Sequence, residues 1–556
     1  MSTILHGTAS PLLRKLSNFA SSRNELQNMI YARAAVGIAL LACMWSCGNP
    51  ANTSETRDVL RRGLGGEPST LDPAAAVDNF SYEVMQDLYE GLTTESPTGE
   101  VIPGVASSWI VDATGTHYTF QIRSDARWSD GKPLRAQDFV SGWRRVVDPK
   151  QGSPVADNLR LIKGAASIIR GKSPLTSLGV YAVSDNVLAV DLEQPAPYLP
   201  QLLTHAAAYP IYSDAIARSH DPNTWVSNGP YVLSRWSPGT TVELKKNESY
   251  WDHAKVHIPR VEFQVVPDEN AQFARYRAGQ LDLTDTIPAS AIAALRRDHS
   301  TELLIAPFLA TAYYGLNLSN PPLASNVKLR QAIAMAIDRK QLVASLGFGQ
   351  ASAYGFVPPG TWNYSPRSWK WKDLTDVERI SEAKRLYSEA GYSIHKPLHL
   401  RLLFNANPVI RNTAIILAGM WKETLGIESE LTEEEYRVFL QSRHDKTRWD
   451  VARLGFGADY NDAGNFLDIF REHSANNDVG YINPSLDTVL DEASNTADPE
   501  YRRTLLETAE QMILEDYPVV PLYFFVSKRL VKPFVHGIRT NPLNHIRSKA
   551  LTLDRN

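Results

Sequence analysis

Two tetrads of the form Ser-x-x-Lys, Ser325 to Lys328 and Ser381 to Lys384, and one Ser184-Asp185-Asn186 tripeptide are the side-chain sets that spell covalent chemistry. A serine activated by a nearby lysine, with a Ser-Asp-Asn element beside it, is the acyl-transfer set of penicillin-recognising serine enzymes. The order is against it: the tripeptide precedes both tetrads, and no Lys-Thr-Gly follows. Each match has a plainer reading, Ser381 as a helix cap and Asp185-Asn186 as a hairpin turn. The 13 histidines form no His-Glu-x-x-His and no His/Cys cluster, so neither a metal site nor another cofactor is expected. No Gly-x-Ser-x-Gly occurs, and Gly347 to Ser352 fails the dinucleotide pattern because Ser352 takes the third glycine's place. There is no Walker A sequence, so any energy source lies on another protein. No catalysis is expected.

A different chemistry is suggested by Gly455-Phe456-Gly457-Ala458-Asp459-Tyr460-Asn461-Asp462. Two glycines permit close approach of another backbone, and an aspartate follows. From spacing alone, Asp459 is more simply an exposed carboxylate before a turn. The alternative is an enclosed charge that waits for a cation.

The chain that must position these residues has 556 of them, enough for two or three domains. It is 43% hydrophobic and 21% charged, with a net charge of −4 and no basic surplus of the nucleic-acid-binding kind. Arg33 precedes a short apolar run, Ala34 to Ala42, that ends at Cys43. The run is far below the roughly 20 residues of a membrane span and reads as the core of an export signal. Leu40-Leu41-Ala42-Cys43 resembles a bacterial lipobox, with Leu41 in place of the favoured small residue; Cys47 is a weaker alternative. Residues 1–42 are therefore expected to be an export signal, with Met29 as a second possible start, and Cys43 is expected to be lipidated. Cleavage without a lipid is the plainer alternative. Residues 43–57 are expected to be a polar tether. Losing residues 1–42, with Arg14, Lys15, Arg23 and Arg33 against Glu25, takes the net charge to −7. Both cysteines lie at this junction, so the body has no disulfide.

Downstream, strand and helix patterns mix throughout. Val84, Leu88 and Leu92 share a helical face; Tyr118, Phe120 and Ile122 alternate as a strand; Phe139, Trp143 and Val146 mark a helix. Hairpins are expected at Asp185-Asn186 and Pro238-Gly239. Leu329, Ile333, Ala336, Ile337 and Leu342 predict one helical stripe, and Ser381 to Gly391 a capped helix. A strand over residues 451–460 leads into Asp459. The class is α/β, without repeats and without one clean linker, so the chain is expected to cross between domains more than once.

The densest motif run is Tyr118 to Pro149, "YTFQIRSDARWSDGKPLRAQDFVSGWRRVVDP". With "EPSTLDP" from Glu67, "SNGPYVLSRW" from Ser227 and "VKLRQAIAMAIDR" from Val327, it resembles the extracellular solute-binding proteins of family 5 that serve peptide ABC importers. The likeness covers nearly everything beyond Arg57. Leu440 to Asp462 and Val520 to Ile538 are most similar to the oligopeptide-binding members. The resemblance implies a two-lobed periplasmic-binding-protein-like fold (type II) with an additional small domain and a hinge. Lobe I would take residues 58–90, 210–310 and 527–556, the accessory domain 91–209, and lobe II 311–526. The implied function is capture of oligopeptides between closing lobes and delivery to permease and ATPase subunits, outside the cytoplasm, by a monomer. A receptor for murein peptide, dipeptide or nickel chelate is the alternative within the family, and a purely structural surface lipoprotein the alternative outside it.

By the same resemblance Asp459 matches the peptide α-ammonium, and Gly455, Phe456 and Gly457 pair with the peptide main chain. Phe456 and Tyr436 would wall side-chain pockets, Arg453 and Arg443 would meet carboxylates, and Asn317 and Tyr481 would touch ligand. Ile410 at a histidine position, the missing lysine in Val343 to Gly349, and Val77 or Asp78 at a glutamate position depart from the pattern. They concern the far end of the peptide.

Overall fold

The computed structural model describes residues 58–212, 224–298, 300–474 and 476–555. The expected signal, Cys43 and the tether lie outside the described residues. Three sheets organise the described chain. The first has the strand order Val59–Leu64, Arg260–Val265, Thr241–Lys246, Tyr231–Ser237, with a parallel first pair and antiparallel neighbours after it. Helix Asn79–Leu88 packs Val84 and Leu88 onto this sheet's core beside Leu60, Leu244 and Phe263. The helix ends at Leu88, so Leu92 does not extend its face as the spacing predicted; Tyr89 already leaves in an extended conformation.

The second sheet is antiparallel, in the order Ala106–Val111, His117–Ile122, Val187–Asp191, Val180–Ser184. Tyr118, Phe120 and Ile122 all point into its core, as alternation predicts. Helix Ala136–Val147 covers it through Phe139, Trp143 and Val146. The hairpin turns at Asp185-Asn186 and Pro238-Gly239 stand where expected, Gly239 at φ 72°.

The third sheet has six strands: Ala351–Ser352, Val519–Leu530, Leu303–Leu316, Val451–Gly457, His399–Asn405, Glu428–Glu434. Apolar cores fill both of its faces. Two predicted helices change here. The single stripe over 327–346 is two helices, Val327–Met335 and Arg339–Leu346, because Asp338 caps the second by accepting from Gln341 N–H at 2.9 Å. The helix around Ser381 starts earlier, at Asp376, where Thr375 and Glu378 form a capping box; Ser381 is interior.

Long strands join the sheets. Leu303–Leu316 and Val519–Leu530 pair antiparallel from Leu303↔Leu530 to Gly315↔Val519, with a break in register between Pro307 and Thr311. Their outer ends lie by the first sheet, where Leu283 bridges Arg62 and Val531. Buried ion pairs fasten the remaining joints. Asp72 takes Arg145 through both oxygens, at 2.7 and 2.5 Å. Burial alone would raise Glu95, but His545 at 2.8 Å, Arg547 and Asn541 bring its pKa down to about 2.

Candidate functional site

Strand Val451–Gly457 has one partner along its whole length and one that leaves. It runs antiparallel to Leu303–Leu316, from Leu316↔Val451 to Ala310↔Gly457. On its other side it meets His399–Asn405 only at Val451 and Ala452. Past Ala452 that neighbour stays with Glu428–Glu434 instead. Ala458 N–H donates to Leu309 O at 2.9 Å, which fixes the phase of the ladder. Phe456 therefore turns its peptide groups to Thr311, and Gly455 and Gly457 turn theirs to the open edge.

Neither glycine is required by the fold. A Cβ at 455 or at 457 would come no closer than 3.6 Å to any protein atom, and neither residue has positive φ. What the glycines leave clear is the space over the open edge.

The edge leads to Asp459. Its backbone N–H donates to Asn465 Oδ1 at 2.9 Å. It is exposed to water, and it lines a recess whose walls surround most of it. Burial raises its pKa above the usual carboxylate range, and only a separate hydrogen bond between its carboxylate and the Asn465 side chain opposes this. Among the described residues no cation lies within ion-pair distance of it.

The recess is a cavity of about 210 Å³. Ala458, Asp459 and Phe308 form one wall; Phe80, Tyr82 and Glu83 of the first helix form another; His205, Asp285, Arg529 and Asn544 complete it. Tyr82 stacks edge-on against His205 at 4.9 Å. His205 Nδ1 takes N–H groups from Ala207 and Asn158, and burial lowers its pKa to about 4, so it is neutral. A larger cavity of about 430 Å³ shares Gln86, His545 and Ile546 with this one. There Glu90 accepts from Tyr250 at 2.5 Å and Trp251 at 2.6 Å, and Lys549 pairs with Asp252 at 2.8 Å.

The other expected site residues fall into two groups. Phe456 is half-buried against Phe466, ring centroids 5.4 Å apart, and Tyr436 is exposed at the start of helix Tyr436–Ser442. Arg453 is half-buried near Tyr313, Tyr314 and Tyr523, with no carboxylate in ion-pair range among the described residues. These three remain available to a ligand. Arg443 instead lies 3.6 Å from the buried carboxylate of Asp478. Asn317 is fully buried, donating to Lys446 O and Trp449 O at 2.6 and 2.8 Å and accepting from Ser319 N–H. Tyr481 is buried and donates to Asp516 at 2.6 Å. The polar atoms of Asn317 and Tyr481 are committed to the fold.

Tyr82, His205, Asp285 and Arg529 were not read as site residues. They come from four distant segments. The available signal was a charge within an apolar run, as for Arg529 in "PLYFFVSKRLV".

No three His, Cys, Asp or Glu side chains among the described residues gather to hold a metal ion. No helix among them is long and apolar enough to cross a membrane.

Residues 100–478 match the family model described as bacterial extracellular solute-binding proteins, family 5 middle. The chain belongs to the extracellular solute-binding proteins of family 5. It is 35% identical to the periplasmic oligopeptide-binding protein OppA of Escherichia coli (strain K12) over 91% of this chain and 96% of that one. Its fold is that of the type II periplasmic binding proteins. The murein tripeptide binding protein MppA, in its unliganded open form, superposes with a TM-score of 0.80 at 33% identity, covering 89% of this chain and 97% of that one. Haemophilus influenzae OppA in complex with the peptide RPPGFSPFR gives 0.74 at 33% identity, covering 89% and 99%. The catalytic reading of the Ser-x-x-Lys tetrads has no place in a family of binding proteins.

Proposed function

We propose that this protein is the extracytoplasmic receptor of a peptide ABC importer. An extended oligopeptide adds to the open edge at Gly455 and Gly457 and places its α-ammonium against Asp459. The single observation that carries the reading is that edge: unpaired peptide groups, glycines that the fold does not need, and an enclosed carboxylate without a cation at the end. Main-chain hydrogen bonds give affinity without reading sequence, and the ammonium supplies the charge that a desolvated carboxylate lacks. Arg453 is placed to meet a carboxylate of the same ligand.

Lobe I comprises residues 58–90, 210–310 and 527–556, lobe II residues 311–526, and the accessory domain residues 91–209. The paired strands Leu303–Leu316 and Val519–Leu530 carry the hinge. Cys43 is lipidated and holds the receptor at the membrane beside its permease and ATPase subunits. The likeness to periplasmic oligopeptide-binding relatives supports the ligand class, and the likeness to a murein-tripeptide-binding protein supports a murein peptide as second reading.

Calorimetry with a free tripeptide and its N-acetylated form tests the site. The free peptide is expected to bind at least tenfold tighter, because acetylation leaves Asp459 unpaired. Equal affinities would remove Asp459 from the site. Binding of murein tripeptide alone would decide for the second reading.

A further inference from the structure

Asp459 is not the sole carboxylate in its cavity without a matching cation. Asp285 lines the same walls, and no Lys, Arg or His lies within 4 Å of it among the described residues. It is held in place firmly. Its N–H donates to Gln272 Oε1 at 3.0 Å, and its carboxylate takes the N–H of Gly65.

The stretch Gly63-Leu64-Gly65-Gly66 makes the room. A Cβ on Gly65 would lie 2.5 Å from Asp285 Oδ2, one on Gly63 2.5 Å from Gln272 Oε1, and one on Gly66 2.4 Å from the Phe80 ring. Here, unlike at Gly455 and Gly457, a Cβ would collide with these side chains unless they moved. The glycines make room for the Asp285 carboxylate, the Gln272 amide oxygen that accepts its N–H, and the Phe80 ring.

The surrounding charges do not balance. The cavity is walled by Glu83, Asp285 and Asp459 against Arg529. Behind the wall, Arg62 pairs with Glu83 at 2.6 Å and lies 3.5 Å from Asp87. In the wall itself three carboxylates face one guanidinium, while behind it Arg62 and Arg547 serve Glu83 and Asp87. His205 is neutral, and His545 is matched by Glu95. Burial, and then Glu83, push Asp285 up to about 6, with Arg529 and Arg62 opposing. About 210 Å³ leaves room for several waters or for an aliphatic side chain with a charged tip.

We infer that Asp285, on its glycine shelf, is a second cation-recognising position in the ligand cavity, so that the receptor favours peptides whose first residue has a basic side chain. This rests on the reading that Asp459 receives the α-ammonium. With that group at Asp459, the side chain beginning one atom away enters the same cavity, where a lysine, ornithine or arginine tip supplies the missing charge. Asp285 acts on specificity and is not needed to hold the peptide main chain.

The test is calorimetry with Lys-Ala-Ala and norleucine-Ala-Ala, which differ by the side-chain ammonium, on the wild type and on Asp285→Asn. The lysine peptide is expected to bind the wild type roughly tenfold tighter or more, as one close charge pair in a partly enclosed site allows. In Asp285→Asn the two peptides are expected to bind within about twofold of each other. Equal binding of both by the wild type overturns the inference and leaves the peptide reading standing. So does a preference that survives in Asp285→Asn. Failure of both peptides to bind overturns the peptide reading and this inference together. If the variant does not melt cooperatively, the wild-type comparison alone decides.

Discussion

Asp459 and Asp462 are three residues apart on one turn of chain, and the protein treats them oppositely. Asp462 is almost wholly buried and takes Arg502 through both oxygens, at 2.7 and 2.8 Å, while capping helix Ala463–Leu467. The Arg502 guanidinium also lies 4.5 Å over the Tyr198 ring, and Tyr198 stacks on Tyr460 at 5.6 Å. Asp459, one residue before Tyr460, has one amide for company. A charge matched inside the fold is structure. A charge that is enclosed and left unmatched is an address for something else.

This contrast predicts where mutations are felt. Arg502→Ala strands a buried carboxylate and should cost about 3–5 kcal/mol of stability, read as a fall in Cm under denaturant. Asp459→Ala should leave the melt nearly unchanged and cost about 2–5 kcal/mol of peptide affinity by calorimetry. If Asp459→Ala destabilises as much as Arg502→Ala, the two carboxylates are alike and the contrast is void. Gly457→Val should separate fold from site in the same way. Stability should hold or rise by up to about 1 kcal/mol, because valine suits a strand and has space, while affinity falls at least tenfold as the edge is covered.

The smallest effect is the most specific. The folded-state pKa of Asp459 is raised, so its ionisation opposes folding above its unfolded value, and the opposition vanishes as pH falls below that value. Asp459→Asn should therefore raise Tm slightly at pH 7 and not at pH 3. Conversely, affinity for a free peptide should fall as acid protonates Asp459 through its raised pKa, whereas the N-acetylated peptide should show no such dependence. A variant that loses Tm at pH 7 would mean that Asp459 has a hidden partner.

Much of this was legible in the chain. Alternation found the strands at Tyr118 and Val451, and the Gly455-to-Asp459 stretch supplied the candidate site. Local chemistry was less readable where two caps competed: Ser381 looked like a helix start, but Thr375 with Glu378 gives a full capping box six residues earlier. Only the family resemblance puts Asn317 and Tyr481 at the ligand. The partners that occupy them, Trp449 and Asp516, are brought close only by tertiary folding. The cavity's far wall was illegible for the same reason. Tyr82, His205, Asp285 and Arg529 are brought together by two sheets and a pair of crossing strands, and no spacing along the chain encodes that.

The open edge has a second consequence. An unpaired strand is a template on which sheets of other molecules can grow, and proteins usually blunt such edges. If the edge docks peptide as proposed, the usual remedies are closed to it, since a bulky or charged side chain on Gly455 or Gly457 would obstruct the ligand. The hazard is contained by geometry. The free stretch is only a few residues long, is made of poor strand formers, and runs into a recess guarded by a carboxylate. A short chain ending in an ammonium can enter; the side of another folded sheet cannot. The recess beside this edge thus also quarantines a stretch of unpaired backbone.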